Sequence, residues 1–314
     1  MKYAFIVNPA SGQGRQDSLL ADIDRLIKSS PDKDIKIYNT RGESDATVIA
    51  DRLAAEADSE IVIFACGGDG TVQEVVNGIY GHDNAILGVV PAGSGNDFVR
   101  ELGKKNDNSK AYTDLERHIG SGTQKIDLIR LSWIEKGSEK HRLISNGINI
   151  GFDGNTAILA HDLKRLPGVS GTGSYLLAVA TNLAKKKGQK LRITADGRDF
   201  HTGKLLLATA ANGGFCGGGV QSCPNADLSD GLIELLVIKD MSRRKFVKLF
   251  PQYQKGRLFS IKGVEDIASY TQAKNIIIEP MLDTKMKFVG DGEIFETGSI
   301  RIDVVPEAIR VIVL

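Results

Sequence analysis

This sequence has few groups suited to disulfide or zinc chemistry. Its three cysteines, Cys66, Cys216 and Cys223, are an odd number without metal-type pairing, so neither a disulfide framework nor a zinc site is expected and a reducing cytoplasm is the simplest compartment. His82, His118, His141, His161 and His201 lack ligand spacing and take no assigned role. A formal net charge of +1 gives no electrostatic argument for nucleic acid. No stretch approaches the roughly 18 consecutive apolar residues of a membrane span, and the apolar run after Met1 stops too soon for a signal peptide. A soluble chain is expected, one that reaches any bilayer lipid from outside.

What the sequence does have is 314 residues of which 41% are hydrophobic, enough for a sizeable core and for about two domains. The stretch that organises it is Gly67-Gly68-Asp69-Gly70-Thr71. An apolar run, Ile61 to Cys66, precedes it without polar alternation, as in a parallel strand buried on both faces. A helix-period segment with Val72, Val75, Val76 and Ile79 follows, and Gly78 and Gly81 are expected to mark its end. Glycines at such a junction allow positive φ and close approach, and turn amide N–H groups toward an anion. Phosphate is the natural occupant. Asp69 would repel it unless a cation lay between, which points to a magnesium nucleotide. The pentapeptide alone also fits a structural turn with Asp69 as a helix cap.

The same pattern of strand, polar loop and helix recurs. Tyr3 to Val7 leads into Asn8-Pro9-Ala10-Ser11-Gly12-Gln13-Gly14-Arg15 and a helix with Leu19, Leu20, Ile23, Leu26 and Ile27. The spacing fails a dinucleotide fingerprint at Asp17; Ser11, Gly12 and Arg15 fit either phosphate contact or an ordinary loop. Ile35 to Tyr38 precedes Thr40 and a helix expected to be capped by Ser44, and Ala85 to Val90 precedes Pro91 to Phe98 and a short helix. This alternation implies a doubly wound parallel sheet, which binds ligands at the carboxyl ends of its strands, where all four loops fall.

From Lys125 the pattern changes to strand-like pieces, including Ile126 to Leu131, Leu143 to Ile150, Ile300 to Val305 and Arg310 to Leu314. Helical segments are expected at 155–164, 174–187 and 242–255. The fold class is therefore α/β in two domains: an N-terminal doubly wound parallel nucleotide-binding domain over 1–124 and a C-terminal, mainly antiparallel β-sandwich over 125–314, with the terminal strands free to return to the first. A cleft between domains is the expected active site.

Five blocks in order resemble the soluble diacylglycerol kinase family, which includes sphingosine and ceramide kinases. They are Asn8 to Gly12, Gly67 to Thr71, Pro91 to Phe98, Pro224 to Leu232, and Val289-Gly290-Asp291-Gly292-Glu293. The resemblance covers nearly the whole chain; the second block alone would also fit NAD kinases and phosphofructokinases. It implies that Asn8, Pro9, Ala10, Ser11, Gly12, Thr40, Gly67, Gly68, Asp69, Gly70, Thr71, Val72, Gln73 and Ser94 bind ATP. Glu293 is implied as the general base on the lipid hydroxyl. Asp69, Asp97 and Asp127, with Glu293, form the implied acidic set for catalytic magnesium. A second, structural magnesium is implied at the Asp230 carboxylate and the main-chain carbonyls of Asp227 and Leu232. Gln73 departs from the asparagine many members carry there.

Phosphoryl transfer independently needs donors around the phosphates, a divalent cation and a base near the acceptor. Asp97 also fits a helix cap, Asp127 a salt-bridged strand residue, and Asp230-Gly231 a turn. The glycines from Gly213 to Gly219 fit the rim of a lipid cleft or a plain loop, Leu166 to Val169 with Tyr175 to Val179 an entrance or core, and Lys185 to Lys187 and Arg243 to Lys245 solvated helix ends or headgroup contacts. The expected activity is an ATP- and magnesium-dependent lipid kinase, cytoplasmic and peripheral to the membrane, converting diacylglycerol to phosphatidic acid. Sphingosine, ceramide, an NAD kinase-like activity or a catalytically weak regulator are the alternatives, and a homodimer is left open.

Overall fold

The structure is a computed structural model, and it describes residues 1–11, 16–93, 95–104, 109–152, 154–156, 159, 188–282 and 284–314. The expected helix at 174–187, most of that at 155–164, and the stretches Leu166 to Val169, Tyr175 to Val179 and Lys185 to Lys187 lie outside the described residues. The chain divides into two compact units, one of residues 1–128 with 306–314, the other of residues 129–305.

The first unit is a parallel sheet. Its strands are β1 (Lys2–Val7), β2 (Asp34–Asn39), β3 (Ile61–Gly67) and β4 (Ala85–Pro91). They lie in the order β2, β1, β3, β4. Every residue of β3 is buried, as its unbroken apolar run requires. Helices α1 (Gln16–Ser29), α2 (Asp45–Ala55), α3 (Asp69–Ile79), α4 (Asp97–Leu102) and α5 (Leu115–His118) connect or follow the strands. Phe5 and Phe64 stack at 4.3 Å between ring centres within a core that includes Val62, Ile86 and Ile312. Because β1 lies between β2 and β3, the chain leaves it in one direction and returns on the other side. That reversal is the switch point where open α/β sheets bind ligands, and the loops after β1 and β3 meet there.

Two sequence expectations about α2 and α3 need correction. Ser44 precedes α2 but its hydroxyl caps nothing. Glu74 of α3 does so instead: its carboxylate accepts the amide hydrogens of Ser44 and Ala46, both at 3.0 Å, and its carbonyl accepts the Thr47 hydroxyl at 2.9 Å. A full carboxylate at the positive helix end is the stronger acceptor. Gly78 lies inside α3, where a β-carbon would stand 2.5 Å from the Thr47 carbonyl oxygen, so it permits close helix packing; Gly81, at φ +90°, is the terminating glycine.

The second unit is antiparallel. Its strands are β5 (Thr123–Glu135, entering from the first unit), β6 (Ser138–Ile144), β7 (Gly147–Gly151), β8 (Gln189–Ala195) and β9 (Arg198–Ala211). There follow β10 (Ile233–Lys239), α6 (Arg243–Gln254), β11 (Ala268–Ala273), β12 (Asn275–Pro280), β13 (Met286–Gly290) and β14 (Glu293–Thr297). The start of β9 pairs with β8, and its end pairs with β7 and β10 on either side. Apolar side chains form two cores, one including Ile148, Leu235, Ile276 and Phe288, the other Phe152, Leu236, Phe246 and Tyr253.

The expected strand from Leu143 to Ile150 is two, β6 and β7, broken at Ser145-Asn146 where both residues turn their amides to a side chain described below. Conversely, the pieces at 300–305 and 310–314 are one strand, β15 (Ile300–Ile312). It pairs antiparallel with β12 at Ile300 to Asp303 and parallel with β4 at Arg310 and Val311. Strands β11 and β14 are additions that sequence periodicity did not reveal.

Candidate active site

In the first unit three loops are tied together at the carboxyl ends of β1, β3 and β4. Asn8, directly after β1, donates its side-chain amide to Thr71 Oγ1 at 3.1 Å and accepts the Ala10 N–H on Oδ1 at 2.9 Å. The Ser11 hydroxyl and amide both donate to the Asn8 carbonyl, at 2.8 and 3.1 Å. A β-carbon on Gly67 would stand 2.2 Å from Thr71 Oγ1, so glycine there lets the threonine fold back to meet Asn8. The loops after β3 and β4 touch backbone to backbone: a β-carbon on Gly93 would lie 2.4 Å from Gly68 Cα.

Gly67, Gly68 and Gly93 thus serve close approach, one of the two uses expected of them, and none of Gly67, Gly68, Gly70 and Gly93 takes the positive φ that was the other. Among the described residues of this region the left-handed one is Asn96, at φ +55°, whose side chain both donates to and accepts from the Gly93 backbone. Gly68 precedes α3 with no side chain capping it, and Gly70 is exposed with open space where a β-carbon would be. The result is a helix amino end in a glycine-built setting whose N-cap residue supplies no side-chain acceptor, the arrangement that receives phosphate.

Asp69 is half-buried, with its carboxyl group turned inward. Its Oδ1 accepts the Phe98 N–H at 3.2 Å, joining α3 to the start of α4. Burial pushes this carboxyl upward in pKa, while the neighbouring amides of Phe98, Asn96 and Asp97 act in the opposite direction. Asp97, the first residue of α4, is buried, with Arg100 Nε 3.8 Å from Oδ1. Thr40 is placed beside the loop after β1 by its amide, which donates to the Val7 carbonyl at 3.0 Å. Pro9 and Ala10 lie exposed in that loop; Val72 and Gln73 lie on the buried face of α3. Asp127 is buried on β5, where Oδ1 accepts the Glu307 N–H at 2.7 Å. Gly12 and Ser94 lie outside the described residues.

In the second unit Glu293 opens β14, opposite Gly290 across a two-residue hairpin. Asp291 at φ +45° and Gly292 at φ +90° supply the left-handed pair such a turn demands. Glu293 Oε1 accepts from Arg142 Nη2 of β6 at 2.5 Å. Asp291 is buried and accepts the amides of Ser145, Asn146 and Gly147 together with the Ser145 hydroxyl, at 2.6 to 3.0 Å. Burial pushes its pKa up to about 6 despite these donors. In the sequence Asp291 lies inside its block with no assigned role, its place in the hairpin being the signal that marks it, and no local pattern marks Arg142.

The loop from Asp227 to Leu232 is braced by its own carboxylates. Asp227 Oδ1 accepts the Ser229 amide and hydroxyl at 3.1 and 2.9 Å, and Asp230 Oδ1 accepts the Leu232 N–H at 3.0 Å. Gly231 at φ +72° completes the turn. Among the described residues no three His, Cys, Asp or Glu side chains gather as a ready cage for a metal. A magnesium ion fits such sparse donor sets, because it usually takes one or two protein carboxylates and completes its shell with phosphate and water. Carboxylates and carbonyls at Asp69, Asp97 and the Asp227 to Leu232 loop are hard oxygen donors of that kind.

With this architecture established, comparisons with known proteins define first a class, the two-part kinases with a parallel catalytic unit and a β-rich partner. The diacylglycerol kinase catalytic domain matches residues 2–131, and the YegS C-terminal NAD kinase beta sandwich-like domain matches residues 146–313. A diacylglycerol kinase of Mycobacterium tuberculosis is 29% identical over 99% of this chain and 94% of its own length. One from Staphylococcus haemolyticus is 31% identical over 92% of this chain and 81% of its own. The chain belongs to the diacylglycerol kinase family. A crystal structure of a diacylglycerol kinase from Bacillus anthracis, 24% identical, shares the fold with a TM-score of 0.71 over 100% of this chain and 97% of that one. Yeast NADH kinase, 12% identical, shares it more loosely at 0.52, over 100% and 84%.

Proposed function

We propose that the protein transfers the γ-phosphate of ATP to the hydroxyl of diacylglycerol, releasing phosphatidic acid and ADP, and works on lipid at a membrane surface. The observation that carries this reading is the uncapped amino end of α3, held by Asn8, Thr71 and the Gly68 to Gly93 approach beside the sheet's switch point. The family supplies the reaction class and supports lipid as the acceptor.

In this reading the backbone amides at Gly68 to Gly70 bind phosphate oxygens, and the residues from Asn8 to Gly12, Thr40, Gly67 to Gln73 and Ser94 shape the ATP site. Asp69 and Asp97, with Asp127 and Glu293, would hold magnesium partly through water, and the ion when bound neutralises charge on the phosphates. The Asp230 carboxylate and the carbonyls of Asp227 and Leu232 would hold a second ion that stiffens their loop. Glu293 takes the proton of the lipid hydroxyl as its oxygen attacks the γ-phosphorus, and the bond to the β-phosphate oxygen breaks. No described helix is long and apolar enough to cross a membrane, which is consistent with peripheral access to the substrate.

The test is transfer of labelled phosphate from magnesium ATP to micelle-dispersed diacylglycerol, sphingosine and ceramide, with soluble NAD alongside. Phosphatidic acid as the labelled product supports the proposal. Labelled sphingosine, ceramide or NAD would reassign the acceptor, and nucleotide binding without any transfer would favour a regulator.

A further inference from the structure

Arg142 is absent from the sequence blocks that mark the family, yet its guanidinium stands directly against Glu293. We propose that Arg142 is a positioning residue for the phosphoryl-transfer base, holding Glu293 by Oε1 so that Oε2 is the oxygen that takes the acceptor's proton. The inference rests on the functional reading above and specifies how its base is set.

Three features separate this pair from an ordinary surface ion pair. First, both side chains are partly sheltered, Arg142 at 21% and Glu293 at 34% exposure, whereas fully exposed pairs contribute little and wander. Second, the contact uses one carboxylate oxygen and one guanidinium nitrogen. Oε2 has no partner among the described residues, and Arg142 Nε is buried without one. A pairing made only for stability would more commonly engage two parallel bonds; here one oxygen is anchored and the other is left for work.

Third, the strands that carry the two partners are locked together on both sides of the pair. On one side, Asp291 gathers the amides of Ser145, Asn146 and Gly147 at the end of β6, directly attaching the β13 to β14 turn to the strand of Arg142. On the other, Phe295, two residues beyond Glu293, stacks on Phe288 at 5.3 Å and meets the edge of Trp133 at 5.5 Å. Trp133 and Lys140 are partners in the β5 and β6 ladder, two residues from the Leu131 and Arg142 pair. Gly290 adds to the fit, since a β-carbon there would press to 2.9 Å from Ile144 Cδ1. Burying the Asp291 carboxylate is costly, and what it secures is the register of the hairpin that presents Glu293. A proton acceptor must stay within hydrogen-bond reach of its donor, and a loss of orientation of a fraction of an ångström is expensive in rate.

The experiment compares initial rates of lipid phosphorylation by wild type, Arg142→Met, Arg142→Lys, Arg142→Ala and Glu293→Ala, each with its circular dichroism and thermal melt. Expected are a kcat at least about tenfold below wild type in Arg142→Met and Arg142→Lys, with the ATP KM within about twofold. Added guanidinium ion is expected to restore part of kcat to Arg142→Ala and none to Glu293→Ala, a response that a merely structural arginine would not give. If the methionine variant fails to fold, the lysine variant and the guanidinium response decide. A folded Arg142 variant with kcat within about twofold of wild type overturns the proposal, as does a loss borne wholly by KM, or an alanine variant that guanidinium leaves unchanged. Wild type that phosphorylates no lipid removes the functional reading and this inference with it; active wild type with an unimpaired Arg142→Met removes the inference alone.

Discussion

Gly93 meets Gly68 so closely that a β-carbon on the former would lie 2.4 Å from the α-carbon of the latter. The atom that β-carbon would strike is backbone, and a β-carbon is fixed by its own backbone, so no side-chain rotation can relieve the clash. Gly93→Ala is expected to push apart the loops after β3 and β4, with a stability loss of about 1–3 kcal/mol and weaker nucleotide binding. Chemical denaturation and calorimetric titration with ATP check it; unchanged values for both would show that the loops can separate freely.

Asp69 joins two roles that substitution can separate. Its Oδ1 accepts the Phe98 amide, and an asparagine can still do so while lacking the negative charge. Asp69→Asn is therefore expected to melt close to wild type yet lose phosphate transfer, and Asp69→Ala to lose transfer together with about 1–2 kcal/mol of stability. Wild-type turnover in a folded Asp69→Asn protein would remove the charge from the mechanism.

Glu74 caps α2 from the neighbouring helix by accepting two amides and, through its carbonyl, a hydroxyl. Glu74→Ala leaves the two amides of Ser44 and Ala46 without their acceptor and is expected to cost about 1–2 kcal/mol. Glu74→Gln retains an acceptor and should cost less. The order of the two melting temperatures checks this assignment.

Asp291 gives a pH dependence with a definite sign. Burial raises its carboxyl from 3.8 to about 6, so in that interval the folded protein keeps a proton that the unfolded chain has released. Its contribution is most favourable below about pH 4 and is lost as pH rises through about 6, a change on the order of 3 kcal/mol. Denaturant unfolding of wild type and Asp291→Asn from about pH 4 to pH 7 should show the wild type losing stability relative to the variant as pH rises. A constant difference across that range would mean that the carboxyl titrates at its ordinary value.

The central blocks were legible because their chemistry is local. An apolar run, glycines and a helix period in succession place Gly67 to Thr71 at a strand end, and the structure puts that junction at the boundary of β3 and α3. What glycine was needed for was not legible: Gly67 answers to Thr71 within the same turn, but Gly68 answers to Gly93, a residue from the next loop. The capping of α2 was misread for the same reason, since Ser44 is a good local cap and Glu74, 30 positions away, outcompetes it. The break between β6 and β7 depends on Asp291, 146 positions from Ser145, and no period in residues 143–150 signals it. Arg142 and Glu293 lie 151 positions apart, and only pairing of their hairpins brings them together.

The strand β15 has a consequence for vectorial synthesis. Its last residues supply the parallel neighbour of β4, at Arg310 against Ile86 and Val311 against Leu87. As the chain leaves the ribosome, β4 emerges more than two hundred residues before that neighbour, so its far edge stays open while the whole antiparallel unit is being made. An open edge is where a nascent strand recruits the wrong partner. The unit synthesised first is the last to be completed, and the interval is one in which a chaperone would find a binding site on the growing chain.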